Sequence, residues 1–117
     1  MTQSEYPPGK HVLLDFWGCD GLTDLSFVKN GLEEAAIACG ATILETKLHT
    51  FGKGGGVTGV AILAESHISI HSWPEINFAA LDIFVCGECD AEEAIEPLKK
   101  VFNPKKFVIK KHERGVE

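Results

Sequence analysis

The chain has 117 residues, 44% of them hydrophobic, which is enough for one domain with a core and too few for two ordinary domains. A net charge of -6 argues against a nucleic-acid partner, because phosphate binding needs a basic surface. Neither a signal peptide nor an apolar run of about 20 residues is visible, so no membrane contact is expected. We therefore expect one cytoplasmic domain, residues 1–117, with four reduced cysteines.

Hydrophobic periodicity predicts a strand, a helix, four strands, a second helix and a last strand. These elements cover residues 11–17, 23–39, 42–50, 57–64, 67–73, 78–86, 91–102 and 105–111. With only two helices, the simplest packing puts both on one face of a mainly antiparallel sheet. The predicted fold class is α+β, a two-layer sandwich in the order β-α-β-β-β-β-α-β.

Several positions carry local expectations. Leu25 should begin the apolar stripe of the first helix, and Gly31 inside that helix should cost about 1 kcal/mol relative to Ala. Leu44 should share a face of its strand with Leu48. Pro97 should kink or shorten the second helix, since it lacks an N–H and clashes with the preceding turn.

The sheet should have one face without helices. Strands 57–64 and 78–86 are apolar on both of their faces, which is unusual for a face that meets only water. We therefore expect a homodimer in which two protomers pack sheet against sheet.

The segment LAESHISIHSWPE, residues 63–75, carries the most unusual pattern in the chain. Within it, His67, Ser69, His71 and Trp73 alternate with isoleucines, so one face of the strand is polar and aromatic. A polar face in so apolar a neighbourhood is either exposed to solvent or part of a site. Three kinds of chemistry compete for it.

Two of them use cysteine or histidine. His67 and His71, with Cys86 and Cys89, are zinc-ligand types, but two histidines four apart on a strand lie about 13 Å from each other and cannot share an ion. No metal is therefore expected. The Cys86-x2-Cys89 pair lies between a strand and a helix, which suits thiol redox chemistry, although the expected parallel β-α-β context is missing. This alternative remains open.

The third uses the hydroxyl of Ser66, which lies outside any G-x-S-x-G motif. A serine can attack the carbonyl of the residue before it, here Glu65, in an N-to-O acyl shift. Removal of the Ser66 α-proton then eliminates the Glu65 carboxylate and leaves dehydroalanine. Hydrolysis converts this residue into a pyruvoyl group, a ketone that forms Schiff bases and accepts electrons as pyridoxal phosphate does.

The sequence strongly resembles the prokaryotic S-adenosylmethionine decarboxylase proenzymes. The resemblance rests on HVLLDFWGCD, HTF, GVTGVAILAESHISIHSWPE, LDIFVCG and HERG, and it covers most of the chain. It implies cleavage between Glu65 and Ser66 into a β chain of residues 1–65 and an α chain of residues 66–117. Ser66 would become a covalently bound pyruvoyl group, with no metal and no pyridoxal phosphate.

The resemblance also implies roles for individual residues. His71 would be the proton acceptor for processing, and Thr58 stands where the family usually has a serine that assists this step. Cys86 would be the proton donor for catalysis. Phe51 and Trp73 would stack on adenine, and Glu75 would bind the ribose diol.

The implied reaction is decarboxylation of S-adenosylmethionine to the aminopropyl donor for spermidine. Two alternatives stay open. The same pyruvoyl chemistry could act on ornithine or arginine if the nucleoside pocket were altered. The chain could also be a non-catalytic regulatory homologue whose function depends on the CxxC pair.

Overall fold

The computed structural model describes residues 9–116, which form six strands and two α-helices. The strands are β1 (Gly9–Trp17), β2 (Ile43–Thr50), β3 (Val57–Leu63), β4 (Ser66–Trp73), β5 (Phe78–Val85) and β6 (Lys106–Arg114), and the helices are α1 (Leu25–Ala38) and α2 (Ile95–Phe102). The strands form one sheet in the order β2-β3-β4-β5-β1-β6, and every neighbouring pair is antiparallel. The predicted element order and the two-layer α+β class are confirmed. Within the described residues, no helix is long and apolar enough to cross a membrane.

The core lies between the helices and one face of the sheet. Val12, Leu14 and Phe16 of β1 are fully buried on that face, and alternate residues of β3, β4 and β5 join them. The residues between them lie on the other face, which no helix covers, and we call it the open face. It carries large apolar side chains that remain partly accessible, including Ile62 at 40% and Val108 at 38%.

Helix α1 has well-defined ends. Asp24 is its N-cap and accepts a hydrogen bond from the N–H of Phe27 at 3.2 Å, so the helix starts two residues later than the predicted residue 23. At the other end Gly40 has a left-handed φ of 81°. The N–H of Gly40 bonds to the carbonyl of Ile37, and that of Ala41 to the carbonyl of Ala36, a Schellman motif.

Two expectations about apolar side chains are wrong. Leu25 is 39% exposed, because it is the first residue of α1 and lies outside the turns that pack on the sheet. Leu44 is 63% exposed and does not share the buried face with Leu48. The pairing of β2 with β3 shifts register between Ile43 and Glu45, and this irregularity turns Leu44 outward.

Gly31 has a packing role that its helix propensity does not reveal. It is buried where α1 meets α2, and a Cβ atom there would lie 2.8 Å from Cε2 of Phe102. A glycine therefore permits the close approach of the two helices, and the fully buried Phe102 ring fills the space.

The second predicted helix, 91–102, is split into a 3-10 helix at Ala91–Ala94 and α2 at Ile95–Phe102. Asp90 caps the 3-10 segment by accepting from the N–H of Glu92 at 3.0 Å. Pro97 is the third residue of α2, within the first turn, where N–H groups have no partner inside the helix. The shortening predicted for Pro97 is therefore observed, and α2 begins where the proline is tolerated.

Candidate active site

Ser66 is the first residue of β4 and follows a two-residue hairpin turn. Leu63 pairs with Ser66 across the hairpin, so Ala64 and Glu65 form the turn. Glu65 has a left-handed φ of 63°, which is uncommon for a residue with a side chain. The peptide bond between Glu65 and Ser66 therefore lies at a tight, strained turn near the centre of the sheet.

Cys86 directly contacts this peptide. It follows the last residue of β5, and the pairing of His67 with Phe84 brings the end of β5 beside the start of β4. The Cys86 thiol donates a hydrogen bond to the carbonyl oxygen of Glu65 at 3.2 Å. The hydroxyl Oγ of Ser66 lies 3.9 Å from Sγ of Cys86. The sequence predicted that these residues belong to one site. It did not predict the contact of the thiol with the Glu65 carbonyl, because this contact depends on the three-dimensional pairing of the strands.

The other predicted residues gather at the opposite end of β4. Thr58 and His71 face each other across β3 and β4, with Oγ1 of Thr58 3.2 Å from Nδ1 of His71. Both line a depression of about 360 Å³ together with Phe51, Trp73 and Glu75. Phe51 directly follows β2, Thr58 comes from β3, and the stretch 71–75 spans the end of β4 and the 3-10 helix after it. Three separate segments of the chain therefore supply one pocket.

The two groups of residues are far apart within one chain. We call Glu65, Ser66 and Cys86 the thiol end of β4, and the depression with Thr58 and His71 the aromatic end. Five residues separate Ser66 from His71 along an extended strand, which corresponds to about 16 Å at the usual rise per residue. Within a single protomer His71 is thus too distant to reach the α-proton of Ser66.

A polar cluster between these ends was not predicted as a unit. Asp82 of β5 lies on the open face, hydrogen-bonded to Nε2 of His11 and 3.8 Å from Nε2 of His67. The Phe84 ring lies against both imidazoles, with centroids 5.4 Å from His11 and 5.9 Å from His67. Nη1 of Arg114 is 2.9 Å from Nδ1 of His11. The period-2 pattern of the sequence predicted that Asp82 and Phe84 share one face of β5. The pairing of β5 with β4 and β1 brings His67 and His11 beside them.

The four thiols fall into two classes. Cys19 and Cys39 are buried, and burial raises the pKa of the Cys19 thiol to about 11 and that of Cys39 to about 12. Such thiols carry little thiolate at neutral pH and suit the core. Cys86 and Cys89 are partly exposed. In the part of the chain that the structure describes, no three His, Cys, Asp or Glu side chains are grouped to hold a metal ion.

The fold and the site together define an α+β sandwich protein with a serine–thiol site at a central hairpin. The model of the family described as S-adenosylmethionine decarboxylase matches residues 10–115, and the chain belongs to that family. A protein of Methanococcus aeolicus named S-adenosylmethionine decarboxylase proenzyme is 48% identical over 110 residues, covering 92% of this chain and 93% of the relative. A proenzyme of the same name from Thermomicrobium roseum is 38% identical over 109 residues, covering 92% of this chain and 94% of the relative.

A solved structure has the same architecture. The adenosylmethionine decarboxylase of Aquifex aeolicus superposes with a TM-score of 0.82 at 34% sequence identity. The match covers 93% of this chain and 92% of the other. The likeness therefore extends over nearly the whole of both chains.

Proposed function

We propose that this chain is a proenzyme that cleaves itself between Glu65 and Ser66 and then decarboxylates S-adenosylmethionine to the aminopropyl donor for spermidine. The products of cleavage are residues 1–65 and 66–117. One observation carries the proposal: the Cys86 thiol donates to the Glu65 carbonyl beside the Ser66 hydroxyl. Family membership and the proenzyme names of the relatives agree with it.

The first step is attack by Oγ of Ser66 on the carbonyl carbon of Glu65. Negative charge then develops on the Glu65 oxygen, where the Cys86 thiol already donates a hydrogen bond at 3.2 Å. The left-handed φ of Glu65 raises the energy of the intact turn, by about 1 kcal/mol for a residue with a side chain. Collapse of the adduct breaks the peptide C–N bond and leaves an ester on Ser66.

The second step needs a base for the α-proton of Ser66, and His71 has the right environment. When Nδ1–H of His71 donates to Oγ1 of Thr58, at 3.2 Å, Nε2 keeps a free lone pair. The contact with the hydroxyl of Thr58 thus orients the ring of the base. Proton removal expels the Glu65 carboxylate, and water then replaces the nitrogen at position 66 and releases ammonia.

The distance of about 16 Å between Ser66 and His71 leads us to propose that His71 serves the Ser66 of a second protomer. Two copies related by a two-fold axis, packed open face to open face, bring the thiol end of one β4 over the aromatic end of the other. Each of the two sites is then complete. The partly exposed apolar side chains of the open face, including Ile62 and Val108, supply the surface for such a homodimer.

The aromatic end suits the nucleoside of the substrate. Phe51 is 63% exposed and Trp73 is 42% exposed, so both aromatic residues are accessible to adenine for stacking. The Glu75 carboxylate lines the same depression and can accept hydrogen bonds from a ribose diol. A sulfonium cation beside these rings gains further cation–π attraction.

The thiol end fits the covalent group that the family implies, because a serine at a strained turn beside a hydrogen-bond donor is what its formation needs. Once formed, a pyruvoyl group at position 66 supplies a ketone that binds the substrate amine and accepts the electron pair left by carbon dioxide. Cys86, next to position 66, is suited to return a proton to the substrate carbon.

Denaturing mass spectrometry tests the first half of this proposal. Purified protein should appear as two fragments, 1–65 and 66–117, and Ser66→Ala as one intact chain. An active protein of intact mass would refute self-cleavage. A product assay with S-adenosylmethionine, ornithine and arginine tests the second half, and decarboxylation of either amino acid in preference to S-adenosylmethionine would replace the proposed substrate.

We also propose a cytoplasmic location. The support is chemical: all four cysteines of the chain are free thiols, two of them partly exposed, and such thiols persist in a reducing compartment.

The net charge of -6 favours a small-molecule substrate over a nucleic acid.

A further inference from the structure

We propose that Cys86 and Cys89 form a reversible disulfide with small-molecule disulfides as the oxidant, and that this bond removes the thiol that Cys86 presents to the Glu65 carbonyl before cleavage and to position 66 after it. The modification site itself follows from the geometry of the CxxC segment. Its effect on turnover rests on the function proposed above for Cys86. The two parts are separately measurable.

The backbone holds the two cysteines close together. The N–H of Cys89 donates to the carbonyl of Cys86 at 3.3 Å, which closes a four-residue turn, and Gly87 in that turn has a positive φ of 68°. The end residues of such a turn have Cα atoms less than about 7 Å apart. Disulfides join Cα atoms at about 4.4–6.8 Å, so the turn holds the two cysteines within about the separation that a disulfide spans.

Both thiols are open to a reagent from solvent. Cys86 and Cys89 are partly exposed and line the same surface depression, of about 330 Å³, with Gly87 and Glu88 exposed between them. Cys19 and Cys39 differ, because each is nearly buried and has a raised pKa. Oxidation is therefore expected at the CxxC pair and not in the core.

Each thiol makes one hydrogen bond to a backbone carbonyl. The Cys89 thiol donates to the carbonyl of Gly40 at 3.6 Å, and the Cys86 thiol donates to that of Glu65 at 3.2 Å. Cys89 has no part in the proposed reaction, so its thiol is available. Cys39 is the competing partner, since its backbone carbonyl accepts from the N–H of Asp90 next to Cys89.

The chemistry is ordinary thiol–disulfide exchange. One cysteine thiolate attacks a small disulfide such as glutathione disulfide, forms a mixed disulfide and expels one small thiolate. The second cysteine attacks the protein sulfur of that mixed disulfide and expels the other. The two protein thiols lose two electrons, the small disulfide gains them, and the two protons pass to the two released thiols.

The experiment treats the processed protein with glutathione disulfide and maps its linkages by non-reducing digestion and mass spectrometry. The expected product is a Cys86–Cys89 peptide two hydrogens lighter than its reduced form, without a glutathione adduct. The decarboxylation rate should fall about 100-fold or more when oxidation is complete and return with dithiothreitol, since a general acid is lost. Cys39→Ser should behave as the wild type, whereas Cys89→Ser should keep glutathione on Cys86.

Other outcomes would overturn the proposal. These are a Cys39–Cys89 linkage as the main product, glutathione retained on wild-type Cys86, or a CxxC pair that stays reduced while the protein turns over normally. The same disulfide mapping on Ser66→Ala detects the Cys86–Cys89 bond in a chain that cannot cleave itself. A disulfide in both proteins, with no turnover in the reduced wild type, would instead refute the proposed function and leave the modification site standing.

Discussion

At the scale of single residues, Cys86 would serve two reactions of the proposed mechanism that occur at different times. Before cleavage its thiol donates to the Glu65 carbonyl, where the acyl shift develops negative charge. After the proposed cleavage the same thiol would remain beside position 66, at the centre where the substrate would lose its carboxylate. The acyl shift needs only a hydrogen-bond donor at this position, whereas decarboxylation needs a group that transfers its proton. Substitutions of Cys86 can therefore separate the two roles.

Cys86→Ser should therefore cleave itself at close to the normal rate and decarboxylate about 100-fold more slowly or worse, because a hydroxyl donates hydrogen bonds well but is a far weaker acid than a thiol. Cys86→Ala should lose turnover as well and also cleave about tenfold more slowly, since it lacks any donor. A time course of fragment formation, with the two variants in parallel, provides the measurement. Equal cleavage rates would mean that the contact with Glu65 plays no part in processing.

At the scale of elements, the two faces of β4 were predictable from the sequence, because apolar and polar residues alternate along this half-buried strand. The same parity put Asp82, Phe84 and Cys86 on one face. The pattern could not show the register shift that exposes Leu44, since such a shift depends on the partner strand. The contact of Cys86 with Glu65 was likewise out of reach, because it is set by how β4 and β5 pair.

Gly31 shows how packing overrides propensity, and it gives a test. Alanine should favour α1 by about 1 kcal/mol, but its Cβ would lie 2.8 Å from the Phe102 ring and 3.2 Å from Cγ1 of Val101. Overpacking of this kind costs about 1–3 kcal/mol, so we expect Gly31→Ala to lower the free energy of unfolding. Urea denaturation provides the measurement.

The matched control for this test is the double variant Gly31→Ala with Phe102→Leu. Removing the ring should relieve the clash, so the alanine should be less harmful, or even stabilising, on the leucine background. A destabilisation by alanine that is the same on both backgrounds would place the cause outside the helix contact.

At the scale of the whole molecule, the buried thiols predict how stability depends on pH. In the folded chain the pKa of Cys19 is raised to about 11 and that of Cys39 to about 12, from 9.0, mainly by burial. Above pH 9 the unfolded chain releases these protons while the folded chain keeps them, so the free energy of unfolding should fall as pH rises toward 11–12. Below pH 9 these thiols should contribute no slope.

Lysines also titrate in this alkaline range. The quantity to compare is therefore the slope of the free energy of unfolding against pH in the wild type and in a variant that lacks the thiol. Chemical denaturation of the wild type and of Cys39→Ala between pH 8 and 11 should show a shallower decline for the variant, whatever its stability at pH 7. Parallel curves would indicate that the Cys39 thiol ionises in the folded protein as easily as in the unfolded one.

The proposed sharing of the site between two protomers gives a second prediction at the scale of the whole molecule. Ser66→Ala and His71→Ala should each stay intact when expressed alone. Random association after equal co-expression gives about half mixed dimers, in which one site combines the intact Ser66 of one chain with the intact His71 of the other. In those dimers the His71→Ala chain should be cleaved and the Ser66→Ala chain should not.

A chain carrying both substitutions, co-expressed with Ser66→Ala, is the control and should give no fragments. Fragment masses identify which chain was cut. If His71→Ala were cleaved equally well without a partner, or if mixing produced no cleavage, the base would have to come from the same protomer or from another residue.

The hairpin that joins β3 to β4 affects how the protein refolds before and after the proposed cleavage. Before maturation, two turn residues hold these strands in register, and refolding is a reaction of one molecule with itself. If the turn is cut as proposed, the same two strands belong to separate polypeptides, and only their ladder and the core keep them together. Recovery from denaturant should then depend on protein concentration, whereas the uncut Ser66→Ala chain should have only the concentration dependence of the proposed dimerisation.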